Sequence, residues 1–165
     1  MDEAYVQSIV KEILNNISIP KMNLSKAISL TEKIKEKANK MGLSVVIAIA
    51  NEAGIPISVQ CMDNSYIASY DVALKKSYTV VALKMSTLEL KALSQPGSPL
   101  YGIQYTNEGK IVIFGGGVPL IYKGKLIAGL GVSGGSEEQD SLLAAYGQEC
   151  LEEVMLCQWR KMKLN

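Results

Sequence analysis

The sequence contains no histidine. That absence excludes a Ser-His-Asp or Cys-His nucleophile pair and a zinc site of the HExxH type. Arginine is almost missing too. Arg160 is the only one, and every other basic residue is lysine. Bidentate arginine recognition of phosphates or carboxylates is therefore nearly unavailable. The 3 cysteines, Cys61, Cys150 and Cys157, are an odd number without a CxxC spacing. They argue against a structural zinc site and cannot all pair in a disulfide framework. Free thiols fit a reducing, cytoplasmic setting. No apolar run approaches the about 18 residues of a membrane-spanning helix, so no membrane association is expected. Asp2 and Glu3 open the chain where a secretory signal would carry basic residues. The 17 basic and 16 acidic residues leave a formal net charge of +1. That balance lacks the basic footprint of a nucleic-acid binder.

What is present suits one domain. The 165 residues are 48% hydrophobic, enough for a core without metal or disulfide staples. Residues 2–17 read as an amphipathic helix capped by Asp2, with Val6, Ile9, Val10, Ile13, Leu14 and Ile17 on one stripe. A second helix is predicted over 24–41, capped by Asn23 or Ser25 and stopped by Gly42. Residues 44–50 and 55–62 read as a β-hairpin. Helices follow at 67–85 and 87–93, and 95–99 is an irregular loop. Three strands are predicted at 110–114, 118–122 and 125–132, and a long helix at 137–159. Its acidic stretch from Glu137 to Glu153 reads as a solvated face. Five antiparallel strands with helices before, between and after them indicate an α+β sandwich.

Several motifs invite chemistry. Gly129-Leu130-Gly131-Val132-Ser133-Gly134 satisfies GxGxxG, but too little chain follows for a dinucleotide fold. It reads instead as a strand whose glycines admit a close neighbour. Gly115-Gly116-Gly117-Val118-Pro119 is either a ligand loop with free N–H groups or a wide strand connection. Ser133-Gly134-Gly135 precedes the last helix, for which Ser136 is a cap. Its glycines would leave helix-start N–H groups open to an anion. Lys75 and Lys76 with Thr79 are either surface residues or carboxylate partners. Asp63 reads as a cap or turn residue. The tyrosines suit either a flat ligand or a subunit interface.

Taken in order, Met62-Asp63, Lys76-x-x-Thr79, Gly116-Gly117-Val118-Pro119, Gly131-Val132-Ser133-Gly134-Gly135 and Gln139-Asp140 resemble the GlcG/HbpS-like family. This haem-degrading domain family includes the C-terminal domain of PduO-type proteins, and the similarity covers about residues 23–155. The resemblance implies a profilin-like sandwich around a five-stranded antiparallel sheet, and a homo-oligomer. It implies a haem or corrinoid (cobalamin) site built from Lys76, Thr79, Gly115, Gly116, Gly117, Val118, Pro119, Ser133, Gly134 and Gly135. The chain departs from the pattern in one respect. Haem-binding PduO-type domains use a histidine as iron ligand, so here Met, Cys, Tyr or Lys would have to serve.

Residues 1–22 precede the resembling domain, which then occupies 23–165. Their helix and linker resemble the peptides that direct enzymes into bacterial microcompartments. The resemblance implies docking of residues 2–17 on shell or cargo proteins, and a microcompartment lumen as the location. The alternative is a first helix packed on its own domain or on a neighbouring subunit. For function, three readings stand open. One is a cofactor-binding accessory protein, not an enzyme. A second is a small-metabolite enzyme drawing on Asp63, Asp140, Lys76 or a tyrosine. A third is an assembly component whose glycine loops serve subunit packing.

Overall fold

The computed structural model describes residues 2–17 and 21–162, with side chains for 2–10 and 21–156. Helix α1 covers Glu3–Ile17 and α2 covers Leu24–Lys40. Strands β1 (Val46–Asn51) and β2 (Pro56–Cys61) form a hairpin. Helices α3 (Ile67–Leu83) and α4 (Thr87–Leu93) follow, then two single 3₁₀ turns at Ile103–Tyr105 and Asn107–Gly109. Strands β3 (Gly117–Tyr122) and β4 (Lys125–Ser133) lead into α5 (Glu137–Glu149) and α6 (Leu151–Met162).

The sheet runs β2-β1-β4-β3, and every pairing is antiparallel. Alternation along the strands sorts side chains by size. Ile47, Ile49, Leu130 and Val132 join the main core with Leu30, Ile34, Leu143 and Val154, under α2, α5 and α6. The opposite face is built from small residues, with Val46 and Ala48 against Ala73 of α3. Gly129 and Gly131 complete it. A Cβ on Gly131 would strike the Ala73 carbonyl and one on Gly129 the Ser77 carbonyl. The GxGxxG letters therefore mark the strand on which α3 lies, as the strand reading expected.

The predicted five-stranded sheet is corrected to four strands among the described residues. Residues 110–114 form no ladder. Ile111 and Val112 are buried, which accounts for their apolar character. Their backbone is held by a side chain instead of a strand. Val112 N–H donates to Thr79 Oγ1 at 3.0 Å, and the Lys110 carbonyl lies 3.2 Å from the same hydroxyl. An apolar run pinned to a helix carries the same composition as a buried strand.

The predicted helix over 137–159 is divided at Cys150, where α5 ends and α6 begins. The helix ends agree with the capping arguments. Asn23 accepts from Lys26 N–H at 3.0 Å. Asp2 accepts from Ala4 N–H at 3.2 Å. On α1, Tyr5, Val6, Ile9 and Val10 are exposed. The predicted contributions of Ile13, Leu14 and Ile17 to that stripe, and the linker at 18–20, lie outside the described residues. So does the side chain of Cys157. Among the described residues no helix is long and apolar enough to cross a membrane.

Candidate functional site

The centre of the glycine-loop region is a buried ion pair. Lys76 lies on the stripe of α3 that faces the sheet, beside Ala73, Ser77 and Val80, and is 0% exposed. Its ammonium donates to Asp140 Oδ2 at 2.9 Å and to the Val132 carbonyl at 2.7 Å. The Phe114 ring covers it, with the ring centre 4.9 Å from Nζ. A cation over an aromatic face at this range is attracted by the ring quadrupole. Asp140, in the first turn of α5, accepts from Gly135 N–H at 2.9 Å through its other oxygen. Burial pulls the Lys76 ammonium below the ordinary lysine range, and attraction to Asp140 opposes it. Burial likewise pushes Asp140 up, against Lys76 and the Gly135 and Gly134 N–H groups.

Glycine loop 115–117 is closed over this pair, and all three residues are buried. Gly115 N–H donates to Glu137 Oε1 at 2.9 Å. Gly117 N–H donates to Thr87 Oγ1 at 2.9 Å. Gly116 has φ +105°, and a Cβ there would lie 2.6 Å from Lys76 Nζ and 2.8 Å from Asp140 Cβ. Glycine is required twice over, for the dihedral and for the close approach. The other oxygen of Glu137 meets Lys91 Nζ at 2.6 Å. The Lys91 and Gly115 hydrogen bonds hold the Glu137 carboxyl below its ordinary range.

The structure decides between the two readings of the glycine loops. The N–H groups of Gly115, Gly117 and Gly135 are not free for an anion, because Glu137, Thr87 and Asp140 occupy them. At the start of α5, Ser136 and Gln139 form a reciprocal capping box. The chain supplies its own carboxylates where a bound anion was the alternative.

The structure brings Lys76 together with Gly116 and with Ser133–Gly135, whose Ser133 hydroxyl meets Ser69 of α3 at 3.2 Å. Thr79 stands one turn along α3 and serves the 110–112 segment. Val118 and Pro119 are half-buried on β3 and lead away from the pair. Asp63 is exposed in the turn after β2. Lys75, the neighbour of Lys76, points to the surface and engages Asp71 at 2.9 Å. Around the junction, Tyr66, Ile67 and Tyr70 of the α3 start are exposed, with Ile67 at 96%, as is Phe114 at 41%.

Phe114, Glu137 and Thr87 were not singled out as site residues from the sequence. Phe114 carried a signal, being the only phenylalanine and directly preceding three glycines. Lys76 carried one as well, since it falls in register with the buried Ser69, Ala73 and Val80.

The model of the HbpS-like family, described as haem degrading protein HbpS-like, matches residues 22–149. The chain belongs to the HbpS-like family. Its relatives include an uncharacterized 15.0 kDa protein from the dhaT-dhaS intergenic region of Citrobacter freundii, 40% identical over 136 residues. That match covers 82% of this chain and 96% of the relative. The corrinoid adenosyltransferase PduO of Salmonella typhimurium is 42% identical over 115 residues, 70% of this chain. This HbpS-like chain spans only 34% of PduO. A solved structure of a PduOC:heme complex superposes with a TM-score of 0.75 at 37% identity, covering 78% of this chain and 94% of that one.

Among the described residues no cluster of Cys, Asp and Glu could hold a metal ion on its own. The surface at the Phe114 edge nevertheless fits a flat, largely apolar ring. Its exposed side chains include the aromatic Phe114, and the Lys76–Asp140 charges beneath that ring are paired and enclosed, while Lys91 and Glu137 stay partly exposed.

Proposed function

We propose that this HbpS-like protein is an oligomeric accessory module that binds a tetrapyrrole, with haem as the ligand and a corrinoid as the alternative. The observation that carries the reading is the heme complex of a PduOC relative 37% identical, 94% of whose chain is covered. The exposed aromatic edge beside the two glycine loops supports it from the side of geometry. On this reading Gly115–Pro119 and Ser133–Gly135 shape the wall of the site. Lys76 and Thr79 hold that wall from behind and do not touch the ligand.

Bound haem would supply an iron centre. Iron ligation without histidine falls to Cys61, Tyr66 or Tyr70, which are exposed, or to the half-buried Met62. The accessory role is favoured over turnover because Lys76 and Asp140 already satisfy one another. Association of several copies would cover further exposed aromatic residues such as Tyr101 and Tyr105.

The N-terminal helix belongs to the same proposal. It precedes the family match, which begins at residue 22, and presents Val6, Ile9 and Val10 to solvent. An apolar stripe on a short helix gains stability from a partner groove. Docking on microcompartment shell or cargo proteins, within the cytoplasm, fits that requirement.

The test is an absorbance titration of the full chain with haem and, in parallel, with aquocobalamin. The reading expects a saturable spectral change with at least one of the two. Spectra that remain the sum of free ligand and protein for both would overturn it.

A further inference from the structure

Phe114 is an exposed ring whose flanking backbone is hydrogen-bonded on both sides. On its C-terminal side Gly115 and Gly117 are tied through their N–H groups to Glu137 and Thr87. On its N-terminal side Val112 is tied to Thr79, and Ile111 and Val112 are buried. The Lys76 ammonium, with no solvent exposure of its own, backs the ring at 4.9 Å. The exposed part of the ring is therefore turned away from that cation. A surface ring whose backbone is tied down on both sides leaves less motion for binding to remove.

A cation stands beside it. Lys91 meets Glu137 Oε2 at 2.6 Å, and the other oxygen of that carboxylate holds Gly115, the neighbour of Phe114. Lys91 is partly exposed, and its ammonium has donors beyond the one spent on Glu137.

We infer that Phe114 is the stacking platform of the ligand site and that Lys91 receives a carboxylate of the stacked ring. The ligand class is a planar aromatic macrocycle with an acidic side arm, which is the chemistry of a porphyrin propionate. The inference rests on the tetrapyrrole reading and assigns its contact residues.

The probes are haem and metal-free protoporphyrin, titrated into the full chain and followed by absorbance and by porphyrin fluorescence. Phe114→Ala is expected to weaken both by about tenfold or more, the scale of a lost aromatic contact plus its buried area. Phe114→Trp keeps a ring and is expected to bind like the wild type. Phe114→Leu fills the same space without a π face, so it serves if the alanine variant fails to fold, and it too should bind more weakly. Lys91→Gln is expected to lower affinity several-fold at low salt and less at high salt. Equal binding by wild type and a folded Phe114→Ala or Phe114→Leu would overturn the platform while leaving the tetrapyrrole reading intact. Unchanged affinity and salt dependence in Lys91→Gln would overturn the carboxylate contact. A wild type that binds neither probe would overturn the inference, and the tetrapyrrole reading falls with it when aquocobalamin fails to bind as well.

Discussion

Lys76 of α3 and Asp140 of α5 meet at 2.9 Å across the end of β4, and both are buried. This pair joins the helices on opposite sides of the sheet and lies directly beneath Gly116. Each partner also holds backbone, Lys76 the Val132 carbonyl and Asp140 the Gly135 N–H. Removing one partner leaves an uncompensated charge in the interior. Lys76→Met or Asp140→Leu alone should cost about 3–5 kcal/mol. The double variant should recover much of that loss, because no charge is then left unpaired. Urea unfolding of the four proteins checks it. Single variants as stable as wild type would contradict the description of the pair as buried and mutually dependent.

The acid side of the stability curve carries two opposite signs. Glu137 is held below its ordinary 4.5 by Lys91 and Gly115. Between its folded value and 4.5 the unfolded chain binds more protons, so its contribution falls as pH drops through that window. Asp140 is raised above its ordinary 3.8 by burial. There the folded chain binds more protons, so its contribution grows as pH falls toward 3.8. Glu137→Gln should therefore flatten the acid loss of stability, and Asp140→Asn should steepen it. Unfolding free energies at several pH values below neutrality read both. Parallel curves for wild type and Glu137→Gln would show that the Glu137 link to Lys91 and Gly115 carries no weight.

Thr79 replaces a strand partner for residues 110–112. Thr79→Val keeps the shape and removes the hydroxyl, leaving the Val112 N–H buried without an acceptor. The expected cost is about 1–3 kcal/mol. Hydrogen exchange should locate it, with the Val112 amide losing protection while the β1 amides keep theirs. Full protection at Val112 in the variant would mean that another group holds the segment.

Gly131 brings α3 against β4 with no room for a methyl group, since a Cβ would meet the Ala73 carbonyl, and Ser77 N at 2.7 Å. Gly131→Ala should destabilise by about 1–3 kcal/mol, as overpacking does, or prevent folding. Thermal denaturation reports the size. A variant with unchanged stability would require α3 to sit farther from the sheet than it does.

Deletion of residues 1–17 should leave the unfolding midpoint unchanged, because Tyr5, Val6, Ile9 and Val10 are exposed. The same deletion should abolish co-purification with microcompartment shells when the full chain is produced alongside them. A large drop in midpoint would mean that α1 packs on its own fold or on a neighbouring subunit.

Most of the element order was legible because periodicity and capping are local. Asn23 and Ser136 announce α2 and α5 by their own side chains, and β1 by its β-branched run. Residues 110–114 were misread as a strand for a non-local reason. The hydroxyl that binds their backbone belongs to Thr79, more than thirty positions earlier. The glycine loops were legible, but whether their N–H groups stand open was not, since Glu137 and Thr87 close them from elsewhere in the chain. Lys76 illustrates the limit of type-based reasoning. A lysine reads as surface unless its register with Ser69, Ala73 and Val80 is weighed more heavily than its charge.

The most direct test of the account is amide NMR of the full chain titrated with gallium protoporphyrin, a diamagnetic stand-in for haem. The account predicts saturable shifts concentrated at Phe114–Gly117 and Ser133–Gly135, with little change in α2 or α6. Shifts confined to another surface, or none at all, would contradict it.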